Sequence, residues 1–214
     1  MFYNLHTHKT TNQENVLEIV NQYPDEFEAE VTYFSIGIHP WHIDLEKVDA
    51  HLTCIEEKLQ FENCLALGEC GLDKRIETSL AIQMEVFEKQ LAIAKKYKKP
   101  VILHCVSAYQ EVIEIKKRLK VEVPMVIHGF SKNWQVAKSL LDNGFYLSFG
   151  KYLLRNPELA AVFEKIPDDR FLLETDTIEE TIFDVYEKAA LIKKMNLENR
   201  VEANFKAIFF KTIK

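Results

Sequence analysis

The chain has 214 residues, 47% hydrophobic and 28% charged, enough for one sizeable core and unlike a disordered or fibrous chain. Its formal net charge of -6 provides no whole-molecule positive field, which argues against a passive DNA-binding module; a nucleic-acid substrate would need a local basic groove or a metal ion to hold its phosphates. Cys54, Cys64, Cys70 and Cys105 form no C-x-x-C pair and no regular framework, and no apolar run approaches the roughly 18 residues of a membrane span.

The N-terminal MFYNLHTHKT lacks a basic segment followed by an apolar stretch. The expectation is one domain over residues 1–214, cytoplasmic, with reduced thiols and no membrane association.

Eight short apolar or β-branched runs recur along the chain, at residues 1–5, 16–20, 31–38, 64–67, 100–103, 124–127, 145–149 and 170–173. The first ends in His6-Thr7-His8, where residues two apart in an extended chain point the same way, so both imidazoles can reach one metal from one side. The second run is the least regular, and the connections early in the chain are short for full helices.

The third run leads into Gly37-Ile38-His39-Pro40-Trp41, and the fourth into Gly68-Glu69-Cys70-Gly71-Leu72-Asp73. Helical spacing then appears over Leu80–Tyr97, 109–119, 133–143 and 156–165, with two more helices predicted from Ile182 to the end. The lysines at 95, 96, 98 and 99 close the first of these helices, where positive charge complements the dipole; they are read as a solvated terminus.

Pro100 and Pro124 open strands, while Asn143 and Gly144 stop a helix just before one. Alternating strand and helix predicts parallel strands with helical crossovers, hence an α/β fold, a compact and somewhat distorted (β/α)8 TIM-like barrel, with an open doubly wound sheet as the alternative.

Ligand-type residues fall at the ends of several runs: His6 and His8 after the first, Glu69 after the fourth, His104 after the fifth, His128 after the sixth and Asp176 after the eighth. In a parallel barrel all these ends open onto one face, so residues over a hundred positions apart converge. Four imidazoles and two carboxylates exceed the needs of one tetrahedral zinc, and a carboxylate bridge at Glu69 would let them hold two cations. Mixed nitrogen and oxygen donors suit zinc or manganese, and magnesium less well.

Taken in order, Asn4-Leu5-His6-Thr7-His8, Gly37-Ile38-His39-Pro40-Trp41, Gly68-Glu69-Cys70-Gly71-Leu72-Asp73, Ile127-His128-Gly129-Phe130-Ser131 and Leu173-Glu174-Thr175-Asp176 resemble the TatD family of metal-dependent deoxyribonucleases, within the amidohydrolase-like barrel superfamily. The resemblance implies that His6, His8, Glu69 and Asp176 hold one metal and that Glu69, His104 and His128 hold the other. It also implies hydrolysis of phosphodiester or other ester bonds, with 3′–5′ exonuclease activity among members and single-stranded or damaged DNA as candidate substrate.

In this reading a metal-acidified water is oriented or deprotonated by Asp176, while Asp73 and Glu174 brace ligand histidines from behind. His39 either contacts a scissile phosphate or makes a structural hydrogen bond to a neighbouring loop. His42 and His51 are read as surface residues, and Trp41 and Trp134 as loop-packing aromatics outside the site.

Three departures from the family pattern stand out: Asn4 where an aspartate is usual, Val106 where an arginine is usual, and Lys132 where a glycine is usual. Loss of the arginine removes a two-pronged phosphate clamp, which weakens the nuclease reading relative to hydrolase chemistry in general. An amidohydrolase-like enzyme acting on a small amide, lactone or ester is the first alternative, and an inactive metal-bound interaction protein the second. Glu69, standing where many amidohydrolases carry a bridging lysine, favours the phosphodiesterase reading.

Overall fold

The computed structural model describes residues 1–210, so the predicted extension of the last helix through 211–214 lies outside the described residues. The strands are β1 (Phe2–Thr7), β2 (Val16–Gln22), β3 (Phe34–Ile36), β4 (Cys64–Asp73), β5 (Val101–Val106), β6 (Met125–Ile127), β7 (Tyr146–Phe149) and β8 (Phe171–Leu173), and they follow one another in the sheet in chain order. The helices are α1 (Val48–Lys58), α2 (Leu80–Tyr97), α3 (Tyr109–Arg118), α4 (Trp134–Asp142), α5 (Lys151–Arg155), α6 (Pro157–Lys165), α7 (Ile182–Lys193) and α8 (Glu198–Phe209). None of the described helices is long and apolar enough to cross a membrane.

The chain divides into two compact units, residues 1–20 with the segment from Ile127 onward, and residues 21–126. In the first, β1 pairs in parallel with β2 from Phe2 opposite Val16 to Thr7 opposite Val20, and β7 pairs in parallel with β8. Just past β8 the chain meets the end of β1, where Asp176 N–H donates to the His6 carbonyl (2.9 Å) and His8 N–H to the Asp176 carbonyl (3.3 Å). Phe149, Phe163 and Phe171 pack edge to face in sequence at 4.8 and 4.9 Å in its core.

Helix ends in this unit follow side-chain chemistry. Thr181 and Asp184 form a reciprocal capping box on α7, and Asn156 caps α6 ahead of Pro157 at its first position. The Tyr186 hydroxyl of α7 accepts from Tyr3 N–H at 3.0 Å, which ties that helix to β1.

In the second unit β3, β4 and β5 are parallel neighbours, and every residue of β4 is buried. Its glycines permit that: a Cβ on Gly71 would lie 2.0 Å from the His104 carbonyl oxygen, and one on Gly68 would lie 2.4 Å from that of Ile102. Phe34, Ile36, Ile55, Phe87, Leu91, Val101 and Ile102 fill the core.

Two sequence expectations change here. The segment before β4 holds a full helix, α1, which burying Val48, His51 and Ile55 places against its unit. His51 occupies an apolar-stripe position and therefore broke the helical pattern; it is buried rather than at the surface, with Nε2 3.0 Å from Asp25 Oδ1. The lysines at the end of α2 lie at the solvated terminus expected of them, Lys95, Lys96 and Lys98 exposed, and three also make contacts there: Lys95 donates to the Leu119 carbonyl, Lys99 to those of Cys64 and Phe61, and Lys96 pairs with Glu56.

All four cysteines are free thiols, three of them buried. Burial pushes the Cys64 thiol up to about 12 and raises Cys70 further still. Cys64 and Cys70 are thus expected to resist a disulfide reagent at pH 8 in the native protein and to react at once in denaturant; rapid native labelling of either, mapped by mass spectrometry, would contradict the packing of β4.

Candidate metal centre

Each unit gathers its own cluster of ligand-type side chains. In the first, His6 and His8 leave the end of β1 on one side, and Asp176 follows β8 in a left-handed conformation (φ 58) bonded to β1. His8 Nε2 lies 3.4 Å and His6 Nε2 3.9 Å from Asp176 Oδ1, and one ligand atom from each of the three lies within 4.8 Å of the others. His128 follows β6, its ring centroid 4.6 Å from that of the wholly buried His6.

Glu174 stands behind His128. Its Oε1 accepts from Gly129 N–H at 2.7 Å and lies 3.4 Å from His128 Nδ1, so that nitrogen donates and Nε2 becomes the lone-pair donor of the ring. Asn4, one of the departures, clamps the segment leading to Asp176: its amide donates to Thr175 Oγ1 (2.9 Å) and accepts from Thr175 N–H (3.1 Å). An amide meets both demands, where an ionised aspartate would only accept.

In the second unit Glu69, only 3% exposed, presents Oε1 to His104 Nδ1 at 2.9 Å and to His39 Nε2 at 3.2 Å. A buried carboxylate requires such partners. On the other side of the His104 ring, Nε2 lies 3.4 Å from Asp73 Oδ2. A neutral ring has one proton: on Nδ1 it is donated to Glu69, and on Nε2 it faces Asp73 and leaves Nδ1 a lone pair for a divalent cation beside the Glu69 carboxylate.

His39 plays a different part. Its Nδ1 accepts from Trp41 N–H at 3.1 Å, so in the neutral ring the proton sits on Nε2 and is donated to Glu69. Burial holds His39 below the usual imidazole range, Glu69 pulling partly the other way, so the ring is neutral at pH 7. Donating, His39 aims the Glu69 carboxylate and offers no lone pair to a metal.

Burial pushes the Asp73 carboxyl up, but hydrogen bonds from Trp41 Nε1, Arg75 N–H and His104 outweigh it and leave it below the usual carboxylate range. Val106, another departure, lies opposite Asp73 in the β4–β5 register, and its carbonyl accepts from Lys74 N–H.

Three positioning side chains escaped the sequence reading. Asn21 Oδ1 accepts Glu69 N–H at 2.6 Å. Gln90 exchanges two hydrogen bonds with the backbone of Ile38, beside His39, and Gln83 does so with Asp73 while also donating to the Thr78 carbonyl. The two glutamines, seven apart and hence on one face of α2, are buried among Val86, Phe87, Leu91 and Ala94. Amides on an otherwise apolar helix stripe were the available signal.

Replacing Gln83 by methionine keeps the volume and leaves the Asp73 N–H and two carbonyls unpaired. The expected cost is about 2–4 kcal/mol, read as a lower denaturant midpoint; an unchanged midpoint would mean these groups find other partners.

Comparison with known proteins shows the family. A family model described as TatD related DNase matches residues 2–209. The metal-dependent hydrolase YabD of Bacillus subtilis (strain 168) is 38% identical over 154 residues, 70% of this chain and 60% of YabD. A protein named 3′-5′ ssDNA/RNA exonuclease TatD, from Edwardsiella piscicida, is 31% identical over 177 residues, 78% of this chain and 64% of that protein. The chain thus spans about three fifths of the length of such relatives. Among solved structures, YjjV, a TatD homolog from Escherichia coli K12, matches with a TM-score of 0.84 at 21% identity, over 99% of this chain and 98% of that one. The α/β fold of TIM-barrel type expected from the alternation is the fold these structures share.

Proposed function

Because the chain belongs to the family of TatD-related DNases, we propose that it is a divalent-metal-dependent hydrolase that cuts phosphodiester bonds, acting from the end of a single nucleic-acid strand. The observation that carries this reading is the His6, His8 and Asp176 cluster, whose two imidazoles and one carboxylate form a donor set suited to zinc or manganese.

In this reading His6, His8, His128 and Asp176 hold a cation in the first unit, and Glu69 with His104 holds one in the second. The bound cations supply Lewis acidity, acidifying water and offsetting the negative charge that grows on phosphate oxygens. Asp176, partly exposed beside His8, orients the attacking water and takes its proton. Glu174 and Asp73 keep the protons of His128 and His104 on the ring nitrogens facing them. His39 holds Glu69 in place. The exonuclease name of a 31% identical relative supports the choice of substrate.

The test is hydrolysis of 3′- and 5′-labelled single-stranded DNA, beside an aryl phosphodiester and an aryl carboxylate ester, with Mn²⁺, Mg²⁺ or Zn²⁺ and metal content followed by elemental analysis. Stepwise shortening from one labelled end, abolished by chelation and restored by metal, is expected. Turnover of the carboxylate ester alone would transfer the site to small-molecule hydrolysis.

A further inference from the structure

Trp41 is 60% exposed, unusual for an indole whose every tether is so well made. Its Nε1–H donates to the buried Asp73 Oδ2 at 2.8 Å, and its backbone N–H donates to His39 Nδ1. The ring stands nearly perpendicular to the His39 and His104 imidazoles, with centroids 5.0 and 5.7 Å away. An aromatic that merely packs a loop down would be covered; this one is fixed in orientation and left open to solvent.

From this geometry we infer that Trp41 is a stacking platform for a planar heteroaromatic group of the substrate, a nucleobase, which makes unstacked nucleotides the preferred substrate class. The inference rests on the phosphodiesterase reading of the adjoining site and adds to it the part of the substrate beyond the phosphate. A ring offered without rotamer freedom loses little entropy on binding, and every base has a face to lay against it, so the contact selects bases over bare sugar phosphates without reading sequence. It requires the base to be out of a duplex stack, which favours single strands and strand ends. It also gives affinity from a surface other than the absent arginine at position 106.

The experiment follows Trp41 fluorescence in the zinc-loaded Trp134→Phe protein, where Trp41 is the sole indole. It is titrated with a deoxynucleoside 5′-monophosphate, deoxyribose 5-phosphate and inorganic phosphate. The nucleotide is expected to quench the indole and to bind about tenfold more tightly than the sugar phosphate. Trp41→Leu and Trp41→Phe remove the fluorophore, so their affinities for the same three phosphates are measured by titration calorimetry beside the parent protein: Trp41→Leu should abolish that advantage, and Trp41→Phe, which keeps a ring but loses the hydrogen bond to Asp73, should retain most of it.

Equal affinity for nucleotide and sugar phosphate, or a Trp41→Phe protein as weak as Trp41→Leu, would overturn the platform, the second result assigning Trp41 to holding Asp73. Both leave the phosphodiesterase reading standing. If none of the three phosphates binds, that reading fails and the platform fails with it.

Discussion

Glu69→Gln is expected to lower phosphodiester turnover by about a thousandfold or more, the loss associated with removing charge at the centre of a metal site. The substitution is nearly isosteric. The remaining carbonyl still accepts from His39 Nε2, and the backbone N–H still donates to Asn21, so the fold is expected to persist. What disappears is the negative charge 2.9 Å from His104 Nδ1. Bound metal, measured by elemental analysis, should fall with turnover while near-ultraviolet circular dichroism stays unchanged. More than a tenth of wild-type activity in a fully metal-loaded variant would remove Glu69 from the ligand set.

Asp176→Asn is the second large effect, with turnover about 10²–10⁴-fold lower, the range for loss of a positioned proton acceptor. Asparagine is the informative choice because Asp176 occupies a left-handed conformation (φ 58) that asparagine tolerates and alanine does not. Its backbone bonds to His6 and His8 are independent of the side chain and survive the change. The melting temperature should therefore move little while kcat collapses. A variant that loses stability and activity in proportion would place Asp176 in structural bonding between β1 and β8.

His39 shows how residues legible in sequence acquire their roles only in space. Its position after an apolar run marks it for the site, and the local sequence suits a phosphate contact and a loop hydrogen bond alike. The structure shows a loop bond at one nitrogen and a carboxylate bond at the other. Since one neutral ring has one proton, those two partners together decide its tautomer and its action on Glu69. No pattern within the local sequence contains that information.

The misreadings have a similar origin. The segment from Val48 escaped notice because His51 sits in the apolar stripe of α1, and a histidine there is buried only because Asp25 meets it. Gln83 and Gln90 stand out in the sequence only as amides on an apolar stripe, and their partners, backbone groups at Asp73 and Ile38, are set by the fold. Trp41 follows an apolar run as a loop-packing aromatic does, and its exposure with a bonded Nε1 is visible only once Asp73 is brought beside it.

The sequence by itself determined the alternation of strands and helices, the punctuating prolines and caps, and the ligand-type residues at the strand ends, because periodicity, proline and capping act over a few residues and are written locally. Tertiary structure alone decided which nitrogen of each histidine faces a carboxylate, which carboxylates are buried with partners and which aromatic stays open. Those outcomes depend on contacts between residues tens to more than a hundred positions apart, such as Asn4 with Thr175 or Glu69 with His104, and such contacts exist only once the chain has closed on itself.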